Sequence, residues 1–322
     1  MFKKLVLGLL AIVVLVIVGF ALFVASRQHL TFDPPYPEIT ASTDSAVIAR
    51  GTYIVSAVAP CSSCHGDTAR AAQAAAGELV PLSGGYMFDI PPGKFYARNI
   101  TPDKETGIGD FRDQAVARAL RYGVGHDGRA LLPFMEMQGL SDEDLRAVVS
   151  FLKAQPPVHN LVPAHQYTLL GKIVKATVLA NPVGPKETPP ATSPRGATVE
   201  NGRYLVESVA LCGSCHTNRN MATGEFTGPR FGGATGFDAT PDHSWSPPNI
   251  TADEKTGKLA RFTEEQFVAR IRAGRAIPHS PMPWQTFQHL TEEDIRAIYR
   301  YLQTVPKVTN DVGPAYVEVT KK

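Results

Sequence analysis

The chain has 322 residues, enough for about two domains. Hydrophobic residues make up 43% of it and charged residues 19%, a composition typical of a globular rather than a disordered protein. The net charge is +2 at pH 7 and the arginines are scattered between carboxylates, so the sequence lacks the basic runs typical of a nucleic-acid-binding protein.

The first predicted element is a membrane-spanning helix. Residues 5–25 are 21 uncharged residues, which at about 1.5 Å each cover roughly the ~30 Å hydrocarbon core of a bilayer. A cleaved secretory signal has a shorter apolar region of about 7–15 residues, although Val24-Ala25-Ser26 resembles a cleavage site. Lys3, Lys4 and the amino terminus carry more positive charge than Arg27, so the positive-inside rule places the N-terminus in the cytoplasm. We therefore expect a single-pass membrane protein, with everything after the span exported from the cytoplasm.

An internal repeat follows the span. Residues 49–55 are ARGTYIV and residues 200–206 are ENGRYLV; the two Asn-Ile-Thr turns, at 99–101 and 249–251, keep nearly the same spacing. Self-similarity of this kind indicates one fold used twice. The predicted organisation is a membrane anchor at 1–30, a proline-rich spacer at 31–44, a first domain at 45–158, a linker at 159–196, a second domain at 197–309 and a C-terminal tail at 310–322.

Each repeat carries the motif Cys-x-x-Cys-His soon after its first predicted helix. Two cysteines at this spacing lie one helical turn apart, so their thiols can form thioethers with the two vinyl groups of a haem. The histidine then lies beneath the iron as its proximal ligand. The motif residues are Cys61, Cys64 and His65 in the first repeat, and Cys212, Cys215 and His216 in the second. The sequence therefore predicts two covalently bound haem c groups.

Other uses of these residues are less well supported. All four cysteines lie in the two motifs, so none remains for a disulfide. One tetrahedral zinc site built from both cysteine pairs is possible, but zinc ribbons do not need a histidine after each pair. A thioredoxin-like redox motif is disfavoured because no βαβ pattern surrounds either copy. Acidic residues beside the Asn-Ile-Thr turns could bind Ca²⁺, but we expect solvated turns there: Asp103, Glu105, Asp253 and Glu254.

The remaining predicted elements are helices and long loops. Loops without periodicity, at 82–98 and 228–248, are expected to bury their apolar residues against the porphyrin. Helices are expected at 112–122 and 264–273, the second with a capping box of Thr263 and Gln266 at its start. Ser141 and Thr291 mark the start of a closing helix in each repeat. Within the linker, the apolar residues 168–180 predict a short helix or an extended strap.

The sixth iron ligand is expected in the loop before each closing helix. Met282 lies between two prolines in the second repeat, and a neutral thioether is the distal ligand of many electron-transfer haems. Alignment of the repeats places Leu132 opposite Met282, so the first repeat is ambiguous. We predict Met135 as its ligand. The alternatives are Met137, His126 and Met87.

These motifs resemble those of the class I cytochrome c superfamily, and more narrowly the membrane-bound cytochrome c subunits of periplasmic alcohol, aldehyde and gluconate-type dehydrogenases. The resemblance covers about residues 45–158 and 197–309, and includes the G-x-Y-[IL]-V helix and the Pro-Met-Pro-Trp loop. It implies an all-α fold, with an N-terminal transmembrane helix followed by two tandem class I cytochrome c-like haem domains. The family's subunits usually carry three haem motifs, whereas this chain has two. The resemblance also implies a location in the inner membrane of a bacterium, with the haem domains on the periplasmic side.

The predicted function is electron transfer rather than catalysis. We expect a dihaem cytochrome that carries single electrons from a periplasmic dehydrogenase or other respiratory donor to an acceptor such as a terminal oxidase. Its expected partners are these redox proteins and the membrane lipid, with no nucleic acid. The alternative is a dihaem peroxidase-like enzyme with an open distal site on the first haem, suggested by the ambiguous methionine of the first repeat.

Overall fold

A computed structural model describes residues 2–59, 61–220, 225–237, 243–277 and 280–318. Residues 238–242 of the loop predicted at 228–248, and 319–322 of the tail, lie outside this part of the chain. The α-helices are α1 (Phe2–Ser26), α2 (Ser45–Tyr53), α3 (Ser62–His65), α4 (Ala71–Ala75), α5 (Asp113–Tyr122), α6 (Asp142–Ala154), α7 (Leu169–Thr177), α8 (Val199–Tyr204), α9 (Cys212–Cys215), α10 (Glu264–Arg272), α11 (Trp284–Phe287) and α12 (Glu292–Thr304).

Helix α1 has the length and composition of a membrane span. Its side chains are exposed along its length apart from Val24, near its C-terminal end. An apolar helix that buries so little against its own protein is typical of a segment surrounded by lipid. It agrees with the anchor predicted from the sequence.

The two repeats fold alike around the crossing of their first and last helices. Helix α2 packs on α6, and α8 packs on α12. At each crossing a glycine allows close approach, because a Cβ on Gly51 would lie 2.0 Å from the carbonyl oxygen of Ala147, and one on Gly202 would lie 1.9 Å from that of Ala297. The glycine of the repeated G-x-Y sequence is therefore required by helix packing.

The predicted helix starts are confirmed by their capping hydrogen bonds. The Ser141 hydroxyl accepts from the backbone N–H of Asp144 at 3.0 Å, and that of Thr291 accepts from Asp294 at 3.2 Å. Thr263 and Gln266 form the expected capping box at the start of α10. Side-chain acceptors thus satisfy backbone donors that have no partner inside these helices.

The two repeats pack against each other through one continuous hydrophobic core. Two reciprocal contacts cross their boundary. The Tyr53 hydroxyl of the first repeat donates to Asp294 of the second at 2.5 Å, and the Tyr204 hydroxyl of the second donates to Asp144 of the first at 2.9 Å. Each first helix is therefore tied to the closing helix of the other repeat, in the manner of a two-fold interface.

The chain also contains strands, so the expectation of an all-α fold is correct only in part. Antiparallel pairing joins Met87 to Tyr96 and Gly93 to Tyr167 in one sheet, and His243 to Glu318 in the other. Much of this pairing joins segments far apart in the sequence, so local periodicity does not predict these strands. The strands are β1 (Met87–Ile90), β2 (Gly93–Tyr96), β3 (Gln166–Tyr167), β4 (His243–Trp245) and β5 (Tyr316–Glu318).

Candidate haem-attachment sites

Each cysteine motif begins directly after a short π-helical segment. These segments, Ile54–Val58 and Leu205–Val209, continue α2 and α8 and end with N–H groups that donate five residues back: Ala59 to Ile54 and Ala210 to Leu205, both at 2.7 Å. A π-helical turn inserts an extra residue into a helix and is frequent at functional sites. The short helices α3 and α9 then carry the motif residues, with Cys61 as the N-cap of α3 and His216 as the C-cap of α9.

The four cysteines are free of disulfide bonds. Burial raises the pKa of the Cys61 and Cys212 thiols to about 12, and it also raises the pKa of Cys64 and Cys215. Redox-active cysteines instead have lowered pKa values. No group of three or more His, Cys, Asp or Glu side chains that could hold a metal ion occurs within the described ranges. This arrangement does not support the zinc and calcium alternatives.

The two motif histidines have the same hydrogen bond. Nδ1 of His65 lies 2.8 Å from the carbonyl oxygen of Arg98, and Nδ1 of His216 lies 2.8 Å from that of Pro248. Because a carbonyl only accepts, Nδ1 carries the proton and the lone pair is on Nε2. Burial lowers the pKa of both imidazoles, which keeps them neutral. A neutral imidazole held through its other nitrogen is the form that binds a metal, so both sites fit an axial iron ligand.

The Asn-Ile-Thr turns position these carbonyl groups. Asn99 directly follows Arg98, and its buried side chain donates to the carbonyl of Val158 at 2.8 Å and accepts from the backbone N–H of Thr101 at 3.0 Å. Asn249 follows Pro248 and makes the equivalent bonds with Val308 and Thr251. Sequence reasoning treated these turns as structural and missed their link to the histidines. Their recurrence at nearly the same distance from both motifs was the available signal.

The acidic residues next to these turns hold the loops together. The Asp103 carboxylate accepts from the backbone N–H and the hydroxyl of Thr106, both at 2.7 Å. Asp253 accepts from Thr256 in the same way, at 2.8 and 2.9 Å, and also from the Thr309 hydroxyl at 2.8 Å. These carboxylates therefore act as turn acceptors.

Met282 is partly buried and packs against the hydrophobic core just before α11. Its carbonyl accepts from the backbone N–H of Trp284 at 2.8 Å, and the guanidinium of Arg270 lies 3.8 Å from the centre of the Trp284 ring. The loop around this methionine is therefore fixed by backbone and aromatic contacts. A fixed loop of this kind suits Met282 as a candidate iron ligand, because a ligand must keep one position.

The candidates in the first repeat have different surroundings. Met135 lines a surface cleft with Leu131, Leu132 and Val183, whereas Met137 packs against the hydrophobic core. His126 stacks on Phe111 with 4.0 Å between ring centres, and Met87 is 41% exposed on β1. The assignment of Met135 stays a prediction, with Met137 as the alternative that faces the core.

Comparison with known proteins supports the class suggested by the motifs. Residues 197–302 match the family "Cytochrome C oxidase, cbb3-type, subunit III". This range contains the second cysteine motif, the second Asn-Ile-Thr turn and Met282.

Similar proteins are cytochrome subunits of dehydrogenases. The chain is 32% identical over 285 residues to the cytochrome c subunit of a quinone alcohol dehydrogenase from Gluconobacter oxydans, covering 82% of this chain and 56% of that one. It is 30% identical over 283 residues to a gluconate 2-dehydrogenase cytochrome c subunit from Pantoea cypripedii, covering 81% and 60%. A "diheme cytochrome c-type" protein of Cereibacter sphaeroides is 28% identical over 268 residues, covering 77% and 82%. The chain thus spans a little over half the length of the two dehydrogenase subunits.

Proposed function

We propose that the chain is a c-type cytochrome that acts as a membrane-anchored dihaem electron carrier. The observation that carries the proposal is the duplicated histidine geometry, in which each motif imidazole is held at 2.8 Å by the carbonyl before an Asn-Ile-Thr turn. A haem c supplies a one-electron Fe(III)/Fe(II) couple when it is bound. The chain's own residues attach it, orient it and surround it.

In the first repeat, Cys61 and Cys64 form the thioethers and His65 is the proximal ligand. In the second, Cys212 and Cys215 attach the haem and His216 binds the iron. This assignment is supported by free cysteines in both motifs and by the protonated Nδ1, which leaves Nε2 for the metal. The proposed cofactors are therefore two haem c groups, one in each of two cytochrome c-like domains at 45–158 and 197–309.

The proposed distal ligands are Met282 in the second repeat and Met135 in the first. Met282 is supported by its fixed loop and its packing against the core. In a His/Met pair the thioether favours reduced iron and raises the potential. A saturated coordination sphere suits outer-sphere electron transfer, which needs no substrate site on the metal.

The contact between the two repeats supports electron transfer between the two haems. The π-helical segment before the first motif contacts α11 of the second repeat, and the segment before the second motif contacts residues 137–139 of the first. Each attachment site is thus next to the distal loop of the other repeat. The reciprocal hydrogen bonds of Tyr53 and Tyr204 hold this arrangement.

We place α1 across the inner membrane and both repeats in the periplasm, a location supported by the length and apolar composition of this helix. The proposed donor is a periplasmic dehydrogenase, supported by the names of the related subunits. The proposed acceptor is a further respiratory protein such as a terminal oxidase.

The test is purification of the full-length protein in mild detergent, followed by haem and metal analysis. We expect two haems per chain, no stoichiometric zinc and a co-purifying dehydrogenase or oxidase. A Cys212→Ala, Cys215→Ala variant should retain one haem and serves as the control for counting. A wild-type protein with one haem or none, or one that turns over peroxide without an added donor enzyme, contradicts the proposal.

A further inference from the structure

Helix α7, in the linker between the repeats, lies directly against the end of α1. The Arg27 guanidinium donates to the carbonyl of Ala176 at 2.8 Å, and the Gln28 side chain donates to that of Lys172 at 3.0 Å. Both donors follow the last residue of α1, Ser26. If α1 spans the bilayer as proposed above, α7 therefore lies at the level where the span leaves the lipid.

One side of α7 is packed against the protein. A Cβ on Gly171 would lie 1.9 Å from the carbonyl oxygen of Pro92, in the turn between β1 and β2. The Thr168 hydroxyl caps the helix by accepting from the Gly171 N–H at 3.1 Å, and Ala176 is 1% exposed. These contacts fix the rotation of the helix about its axis.

Apolar side chains before and after these packed positions of α7 are exposed. Leu169 is 74% exposed, Leu170 is 48% exposed and Val178, just after the helix, is 45% exposed. Ile173, one turn after Leu169, is partly buried on the same side. A short helix with leucines facing outward and lysines beside them has the pattern of a helix that lies in a membrane interface.

A cationic cleft adjoins α7 at Lys175. It is lined by Arg27, Arg129 and Lys175, together with Leu30, Phe32, Ala130, Tyr167 and Leu179. The Asp127 carboxylate accepts from Nε of Arg129 at 3.0 Å, so three cations face one nearby anion. Lys175 lies over the Tyr167 ring with Nζ 5.3 Å from its centre, and burial, together with Arg129, lowers its pKa. The cleft therefore has an excess of positive charge at the membrane level.

We propose that α7 and this cleft form a second membrane contact, in which the exposed leucines enter the bilayer interface and the cationic cleft binds the phosphate of an anionic phospholipid. This inference rests on the proposed membrane span. We assign this surface to the bilayer rather than to a protein because the surface is continuous with α1 and its positive charge is complementary to anionic headgroups. The contact fixes the height and tilt of the two repeats above the membrane.

The test measures the rate at which a water-soluble maleimide modifies single introduced cysteines in the full-length, haem-loaded protein. The haem-attachment cysteines are held in thioethers and do not react. The probes are Leu170→Cys on α7, Val199→Cys as a control of similar exposure (45%) in the second repeat, and Leu15→Cys within α1. Each variant is compared in nanodiscs of phosphatidylcholine with and without phosphatidylglycerol, with an unchanged haem content as the check on folding.

We expect Leu170→Cys to react about tenfold more slowly than Val199→Cys in anionic nanodiscs, because insertion of the remaining leucine, Leu169, shifts the population by about this factor. Lys175→Gln should weaken the effect of phosphatidylglycerol about fivefold. Lys307→Gln, which removes a lysine from the second repeat, should leave it unchanged.

Three results would overturn the inference. If Leu170→Cys reacts as fast as Val199→Cys while Leu15→Cys is protected, the anchor stands and the second contact is wrong. If Leu15→Cys also reacts freely, the proposed span and the contact both fail. If Leu170→Cys is free in nanodiscs but protected in a complex with a co-purified dehydrogenase, the surface binds protein rather than lipid.

Discussion

Substitution of Gly51 by alanine tests the helix crossing that supports the first cysteine motif. The new Cβ would lie 2.0 Å from the Ala147 carbonyl oxygen and 2.8 Å from the Cβ of Phe151. Non-bonded contacts of a Cβ below 3.0 Å do not occur, so α2 and α6 must separate by at least 1.0 Å. Because α2 continues through the π-helical segment into the cysteine motif, this movement displaces Cys61 and His65.

The expected loss of stability follows from two opposing effects. Alanine in place of glycine inside a helix stabilises the helix by about 1 kcal/mol. Overpacking of a close contact costs about 1–3 kcal/mol and occasionally more. Since the clash involves backbone atoms, which cannot rotate away, we place it at the upper end. The net loss in the free energy of unfolding is then about 2 kcal/mol.

The assay is guanidinium unfolding followed by helical circular dichroism and by haem absorbance. Gly202→Ala should behave alike in the second repeat, where the Cβ would lie 1.9 Å from the Ala297 oxygen. Gly19→Ala in α1, with nothing within 4 Å of its Cβ, is the control and should leave the unfolding of the repeats unchanged. An unfolding free energy that stays equal or rises in Gly51→Ala would show that the crossing is not as close as the structure has it.

Three further predictions concern the haem ligands and the turns. His65→Ala should remove the proximal ligand of one haem and leave the spectrum of the other, because His216 is held by its own turn. Met282→Ala should lower one haem's potential and halve the sulfur-to-iron charge-transfer band, and Met135→Ala should do the same for the other haem. Turn donors, chiefly the Thr256 N–H, lower the pKa of Asp253 to about 2. The ionised Asp253 carboxylate therefore stabilises the fold fully above its ordinary pKa near 4, and this stabilisation is lost as the pH falls towards 2. Asp253→Asn should make the free energy of unfolding less dependent on pH in this range.

Each of these predictions has a result that contradicts it. Loss of both haem spectra in well-expressed His65→Ala would show that the two sites are not independent. If the charge-transfer band keeps its full intensity in Met135→Ala, Met137 rather than Met135 is the ligand. If the band of the wild-type protein has the intensity expected for a single His/Met haem, the first site does not have His/Met ligation. An acid unfolding profile that Asp253→Asn leaves as steep as before would show that other carboxylates dominate it.

Local features of this chain could be predicted from the sequence alone. The span α1, the caps at Ser141 and Thr291 and the capping box at Thr263 depend on residues within a few positions of each other, and the structure agrees with all of them. The haem motifs are local for the same reason, since thioether attachment needs two cysteines one turn apart. The second motif lies within the region that matches the cytochrome family, residues 197–302.

Other features were decided only by the tertiary structure, because they join residues far apart in the chain. The strands of the long loops form by pairing such as that of Gly93 with Tyr167. The carbonyl of Arg98 holds His65 from 33 positions away. In the first repeat, sequence spacing favoured Met135, whereas packing directs Met137 to the core. The direction in which a loop side chain points is set by the surfaces that pack around it. The spacing of residues in the sequence does not specify those surfaces.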